Sequence, residues 1–156
     1  MNAQTQVATK KPLRPAFFDA NKLPWSPWVM DGTHFKLLNV DVKTGGFSML
    51  LKVDAGNAAP VHGHLGAVEA YVIEGEFGYE EDRGGVGSYV YEAAGSIHQP
   101  TSPQGSIMFA VVHGAIVGYE DDGSIGGIVD GEFMLNLARE NNAADHLTHI
   151  EIVETA

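Results

Sequence analysis

Three of the seven histidines stand where their spacing could build a metal site. His62 and His64 are separated by one glycine, and side chains two residues apart on a strand point to the same face. An antiparallel partner strand could bring His98 opposite the pair. Three neutral imidazoles would then bind one metal ion and leave coordination positions open for a substrate and O2.

The composition limits the other ligands and partners. The 156 residues include no cysteine, so a metal must rest on histidine, carboxylate or water. A net charge of −11 argues against a nucleic-acid partner, because phosphate binding needs a basic face. No apolar run approaches the ~20 residues of a membrane span, and the first fifteen residues lack the apolar segment of a secretory signal. We therefore expect a cytoplasmic protein.

The elements that would position the histidines are mostly short strands. Segments rich in β-branched and aromatic residues, bounded by Gly, Asp or Pro, are predicted as strands. They are His34–Val42, Phe47–Val53, Val68–Tyr79, Ser88–Glu92 and Ser106–Val117. Asp121-Asp122-Gly123 is predicted to form a hairpin turn.

A helix is predicted only after the strands, where Asp130 could cap its first turn. Its apolar residues recur at helical spacing: Phe133, Met134, Leu137 and Ala138. Residues 1–22 are predicted to form a flexible N-terminal arm, and residues 23–156 a single domain. Many short strands followed by one terminal helix indicate an all-β fold, a closed antiparallel barrel or jelly roll.

The segments around the histidines resemble the two sequence motifs of the cupins. Residues 56–75 resemble G(x)5HxH(x)3–4E(x)6G. Residues 87–102 resemble G(x)5PxGxxH(x)3N, with Ala93 in place of the proline and Ser102 in place of the asparagine. This resemblance implies a single-domain cupin, a jelly-roll β-barrel with a short C-terminal helix, whose metal ligands are the three histidines.

The glutamate of the first motif is out of register in this sequence. Glu69 lies six residues before Gly75, and the motif places its carboxylate seven residues before that glycine, where Val68 stands. A slip of one residue turns a strand side chain to the opposite face. We therefore expect Glu69 not to reach the metal, unless a β-bulge between residues 65 and 69 restores the register.

A closer resemblance runs from about Trp25 to Leu137. The chain is similar to the small cupins that include acetylacetone-cleaving (β-diketone) dioxygenase and 2,4′-dihydroxyacetophenone dioxygenase. The matching features are HxH followed by Glu69, the segment GSYVYEAAGSIH and the segment HGAIVGYEDDGSIGGI. The resemblance implies an Fe(II) enzyme that cleaves a carbon–carbon bond beside a carbonyl with O2. Zinc, nickel or copper could occupy the same ligands.

The same resemblance suggests roles for four more residues. Glu92 matches an outer-sphere glutamate that orients a ligand or positions water, although a surface strand position is the alternative. Arg83 is a candidate for stabilising the enolate form of the substrate. The alternative is that Arg83 is a solvent-exposed turn residue. Met108 and Val112 match pocket positions where the acetylacetone enzyme has phenylalanine, which implies a roomier pocket.

Independently of the resemblance, four tyrosines lie in predicted strands, Tyr71, Tyr79, Tyr89 and Tyr91, and most should belong to the wall or core. One hydroxyl could enter the cavity, and we take Tyr71 as that residue.

A site with three neutral histidines favours an anionic chelating ligand, such as the enolate of a β-diketone. Because such a substrate supplies all the electrons for O2, no nicotinamide or flavin is needed, and the sequence has no dinucleotide-binding fingerprint. The alternatives are the 2,4′-dihydroxyacetophenone type of reaction, a zinc or nickel cupin with non-redox activity, and a ligand-sensing cupin. As partners we expect a small dicarbonyl or hydroxyketone, O2 and further copies of the chain, in a dimer or tetramer.

Overall fold

The computed structural model describes residues 17–147, in which thirteen strands precede one α-helix, α1 (Gly131–Glu140). A single turn of 3-10 helix at Ala20–Lys22 comes before the first strand. The strands are β1 (Ser26–Pro27), β2 (Thr33–Asp41), β3 (Gly46–Val53), β4 (Asn57–Ala58), β5 (His62–His64), β6 (Val68–Gly78), β7 (Arg83–Gly85), β8 (Tyr89–Glu92), β9 (Ile97–His98), β10 (Thr101–Ser102), β11 (Ser106–Val112), β12 (Ile116–Tyr119) and β13 (Ile125–Val129).

The strands form two antiparallel sheets. The larger sheet has the order β1-β2-β3-β11-β6-β10-β4, and β7 and β8 also pair with β6. The smaller sheet has the order β13-β12-β5-β9 and carries all three histidines of the predicted site. The predicted all-β fold with a short C-terminal helix is confirmed.

The core lies on the inner face of the larger sheet, where alternate residues of each strand are apolar and buried. On β6 the burial alternates from Val68 to Val72, and on β11 from Met108 to Val112. The remaining buried core of this sheet comes from β2 and β3: Phe35, Leu37, Val40, Phe47 and Met49. Period-two burial explains why these strands were recognisable from the sequence.

The helix begins where the sequence predicts it. Asp130 is the N-cap, and its Oδ1 accepts a hydrogen bond of 2.9 Å from the backbone N–H of Phe133. Met134 and Ala138 are fully buried against the core, together with Leu135. Phe133, in contrast, keeps 39% of its surface exposed and faces a groove instead of the core.

The predicted strand Ser106–Val117 is wrong as a single element. It is two strands, β11 in the larger sheet and β12 in the smaller one, separated at residues 113–115. At this crossing Gly114 packs against Gly66, so closely that a Cβ atom on Gly66 would lie 2.6 Å from the Gly114 nitrogen. Only His113, Gly114 and Ala115 separate the two apolar segments, a break too short for periodicity to reveal the change of sheet.

The predicted N-terminal arm is only partly described, because residues 1–16 lie outside the described residues. The part that is described is tied to the barrel: Asp19 caps the 3-10 turn, and Lys36 Nζ donates a 2.9 Å hydrogen bond to the Ala20 carbonyl. Residues 148–156 of the predicted domain also lie outside, so both domain limits stay predictions. Within residues 17–147, no helix has the length and apolar character to cross a membrane.

Candidate metal centre

Two very short strands bring the three histidines together. β5 holds His62 and His64, and β9 pairs with it so that His98 lies directly opposite His62. One ligand nitrogen from each of the three residues lies within 4.8 Å of the others, so one ion could contact all three. The Nε2 atoms of His64 and His98 are 2.8 Å apart.

The surroundings of these histidines suit metal binding. Burial lowers the pKa of all three, to about 4 for His64, so the imidazoles are neutral at pH 7 and their lone pairs are available. Nδ1 of His62 lies 2.9 Å from the Pro60 carbonyl oxygen, to which it can donate. That contact leaves Nε2 of His62 free to bind a metal, with the ring held by a backbone partner.

One buried carboxylate borders the histidines. Glu92 is 9% exposed, and its oxygens lie 3.4 Å from Nε2 of His64 and 3.7 Å from Nε2 of His98. The Tyr79 hydroxyl donates a hydrogen bond to Oε1 of Glu92, and the Tyr79 ring lies 5.0 Å from the His98 ring. Burial raises the pKa of Glu92, and burial together with the Glu92 contact raises the pKa of Tyr79. The structure thus places Glu92 beside the histidines, where the sequence suggested it.

An apolar cavity of about 70 Å³ opens beside these groups. Met108 and Val112, each 2% exposed, are in its wall, as are Trp28 and Met30 from the β1–β2 connection. The structure places both side chains at the cavity, and the roomier pocket inferred from their size stays a prediction.

Glu69 lies on the other side of the barrel wall. Its Oε1 accepts a 2.6 Å hydrogen bond from Tyr89, and its Oε2 lies 2.8 Å from Nε2 of His113. Val68, one residue earlier, is buried and lines the cavity. The prediction that Glu69 turns away from the metal ligands agrees with this placement, since β6 alternates regularly from Val68 to Val72.

Two of the candidate catalytic residues are not brought to the histidines. Arg83 donates from Nη1 to Oγ1 of Thr101 at 2.8 Å and from Nη2 to the Thr101 carbonyl at 3.0 Å, and it lies 3.7 Å from a carboxylate oxygen of Glu76. Arg83 therefore links β7 to β10 through these hydrogen bonds. Tyr71 is 48% exposed on the outer face, so its hydroxyl does not reach the cavity.

A β-bulge explains why Tyr79, and not Tyr71, contacts Glu92. On β6 the pairing with β11 skips Ile73, so the residues beyond it have the opposite phase. Tyr71 and Tyr79 are both odd-numbered, and without the bulge they would share a face. With the bulge, Tyr71 points outward, whereas Phe77 lines the cavity and Tyr79 reaches Glu92. The sequence offered Tyr79 only as one of several strand tyrosines.

The family of the chain follows from its sequence. Residues 14–117 match the family model described as the ChrR Cupin-like domain. The chain belongs to this cupin family. No curated protein gives a significant match.

Solved structures share the cupin fold. An RmlC-like cupin protein from Ralstonia eutropha JMP134 superposes with a TM-score of 0.78 at 26% identity, over 86% of this chain and 91% of that one. An acetylacetone dioxygenase from Acinetobacter johnsonii gives a TM-score of 0.72 at 17% identity, over 90% and 99% of the two chains, which shows the fold alone. A chain from the complex of Rhodobacter sphaeroides SigE with the anti-sigma ChrR gives a TM-score of 0.52 at 25% identity, over 60% of this chain and 51% of that one.

Proposed function

We propose that this cupin is a mononuclear non-haem Fe(II) dioxygenase that cleaves a carbon–carbon bond of a small β-diketone. The observation that carries the proposal is a cluster of three neutral histidines beside one buried carboxylate, of which His62, His64 and Glu92 line an apolar cavity. The fold that this chain shares with an acetylacetone dioxygenase supports it.

The histidine set fits iron as well as zinc, nickel or copper, because imidazole binds all four. His62, His64 and His98 would hold the ion, and iron(II) would supply the Lewis acidity and redox chemistry that O2 requires. In the overall reaction, acetylacetone and O2 would give acetic acid and methylglyoxal. The diketone loses four electrons, one carbon–carbon bond breaks, and both oxygen atoms of O2 enter the products.

Glu92 is the residue that we propose removes a proton from the central carbon of the diketone. Its Oε1 is occupied by the Tyr79 hydroxyl, so Oε2 is the oxygen left to accept the proton. Tyr79 is a positioning residue, since it holds the carboxylate toward His64 and His98. The apolar wall excludes water, which keeps the resulting enolate from being reprotonated by solvent.

We take a small aliphatic diketone as the substrate in this proposal, and the 2,4′-dihydroxyacetophenone type of reaction stays the alternative. Arg83 and Tyr71 have no part in this proposal, because their side chains are bonded elsewhere or face outward.

Oxygen consumption by protein of verified metal content tests the proposal. The Fe(II) form should consume one O2 per acetylacetone and release acetic acid, and the Zn(II) form should consume none, because zinc has no redox chemistry. The His98→Ala protein is the negative control. Iron-loaded protein that consumes no O2 with any small diketone would exclude the dioxygenase.

A ligand-sensing role is the second candidate, and the family itself favours it. The matching family model is the ChrR Cupin-like domain, and one similar chain comes from a complex with an anti-sigma protein. A sensor would bind its ligand at the histidines without turnover. Tight, stoichiometric diketone binding without oxygen consumption by the iron form would therefore move the assignment to sensing.

A further inference from the structure

A second apolar space adjoins the small cavity at the histidines. It is a groove of about 270 Å³ between the β1–β2 connection, the β12–β13 hairpin and the start of α1. Four residues line both the groove and the small cavity: Trp28, Met30, His62 and Ile116. The two spaces are therefore adjacent, and His62, a proposed metal ligand, lies at their boundary.

The strand pairing of the smaller sheet explains why there is open space beside His62. Directly opposed residues of antiparallel strands place their side chains on the same face. One such row runs across four strands: His98 is opposite His62, His62 is opposite Gly118, and Gly118 is opposite Gly127. The row therefore carries two imidazoles followed by two positions without side chains.

These two glycines are not required by the backbone. Neither has a positive φ, a Cβ atom at Gly118 would meet nothing closer than 3.9 Å, and one at Gly127 would meet no atom within 4 Å. In the next row, Ile116 and Val129 pack against the core from the same face. The missing side chains at Gly118 and Gly127 therefore leave the groove open next to the metal ligands.

The lining defines the chemistry of the occupant. Apart from His62 and the two glycines, every residue of the groove is apolar: Trp28, Val29, Met30, Pro60, Ile116, Ile128, Val129 and Phe133. A charged group would be desolvated there without a partner. The groove therefore suits an apolar part of a ligand whose other end lies at the histidines.

We propose that the substrate is an unsymmetrical β-diketone whose dicarbonyl part lies in the small cavity and whose apolar substituent extends from His62 across Gly118 and Gly127. The inference rests on the proposed function for the dicarbonyl part. The groove then determines specificity for the substituent, while the small cavity limits the opposite end to a methyl-sized group.

Calorimetric titration of the Zn(II) protein tests this without turnover. The probes are acetylacetone and homologues in which one terminal methyl is replaced by ethyl, butyl or hexyl. In the wild type, affinity should rise about fourfold for each added methylene until the groove is filled, which corresponds to ~0.8 kcal/mol per buried methylene. A homologue that ends in a carboxylate should gain nothing from its length.

Gly127→Leu is the decisive variant, because it fills the groove two strands away from His62. It should abolish the gain with chain length, at least tenfold for the butyl homologue, and leave zinc content and acetylacetone affinity unchanged. Gly85→Leu is the matched control, since its Cβ meets nothing closer than 4.0 Å and it lies outside the groove. If Gly127→Leu does not fold, Phe133→Ala should reduce the gain for the hexyl homologue several-fold by removing one wall.

The outcomes separate this inference from the proposed function. Chain-length dependence that Gly127→Leu abolishes, in a protein whose iron form consumes no O2, would uphold the groove and exclude the dioxygenase. Oxygen consumption with acetylacetone and no chain-length dependence would uphold the dioxygenase and overturn the groove. Failure of every diketone to bind would overturn the inference. A dimer that Gly127→Leu dissociates would also overturn it, because the groove would then be covered by a second copy of the chain.

Discussion

Two glutamates on neighbouring strands of one barrel wall have the same kinds of partner and different surroundings. Glu92 of β8 accepts a hydrogen bond from Tyr79 and lies beside two histidines. It stands opposite Val68 on the inner face, is buried, and borders the cavity. Burial raises the pKa of this carboxyl.

Glu69 of β6 is its counterpart on the outer face, one register position away. It accepts a hydrogen bond from Tyr89 and pairs with His113, and it stands opposite Tyr91. Here the hydrogen bonds from Tyr89 and His113 lower the pKa of the carboxyl. A glutamate, a tyrosine and a histidine in contact therefore do not by themselves make a metal site. The inner cluster, Glu92 with Tyr79 and the histidines, differs because it borders the cavity and contains three histidines that one ion could contact.

Removing one histidine from each cluster should give the largest difference. His98→Ala should lower metal affinity by more than the ~10–100-fold that loss of an outer-sphere partner causes, because it removes a direct ligand. His113→Ala should leave metal affinity unchanged. Metal content after dialysis, measured by atomic emission, checks both. Full occupancy in His98→Ala would mean that the inner cluster is no more a metal site than the outer one.

Replacing each glutamate by its amide should give the next largest effect. Glu92→Gln keeps the shape of the side chain and removes the proton acceptor, so turnover should fall by ~10²–10⁴-fold, the usual contribution of a general base. Glu69→Gln should stay within about twofold of the wild type. Steady-state oxygen uptake with equal iron content in both variants makes the measurement. Equal losses in the two variants would contradict the distinction between the faces.

The tyrosines should differ in their effect on stability. Tyr79→Phe leaves a buried carboxylate oxygen without its donor, which should lower the free energy of unfolding by ~1–3 kcal/mol. Tyr89→Phe removes a hydrogen bond at the surface, where water replaces the donor, so the change should be below ~0.5 kcal/mol. Urea denaturation of the two metal-free variants measures both values. A larger loss in Tyr89→Phe would show that the outer cluster is the structural one.

The parts of the site that depend on the spacing of residues close together in the chain were predictable from the sequence. The same-face pair His62 and His64 follows from strand alternation, and Glu69 faces outward because it alternates with the apolar Val68 and Ala70 on β6. The capping role of Asp130 is likewise a matter of a few residues. These features depend on short stretches of chain, so one sequence is enough to see them.

The remaining features depend on pairing between distant strands. The bulge at Ile73, which exchanges Tyr71 for Tyr79, is visible only in the register between β6 and β11. β9, with two residues, is too short to show a period. The groove beside His62 exists because Gly118 and Gly127 face each other across a hairpin, and neither glycine differs in the sequence from a turn residue.

The smallest predicted effect concerns the pH dependence of the outer cluster. Hydrogen bonds from Tyr89 and His113 hold the pKa of Glu69 below its ordinary value of 4.5. A carboxyl whose pKa is lower in the folded state stabilises that state above its unfolded pKa, and this contribution disappears as pH falls through the folded pKa. The melting temperature of the wild type should therefore exceed that of Glu69→Gln by a small amount above about pH 5. The difference should disappear as the pH falls through the folded pKa of Glu69, below which both side chains are neutral. A wild type that melted below Glu69→Gln near pH 7 would show that Glu69 holds its proton more tightly in the folded state, as buried Glu92 does, and the contrast between the two faces would be lost.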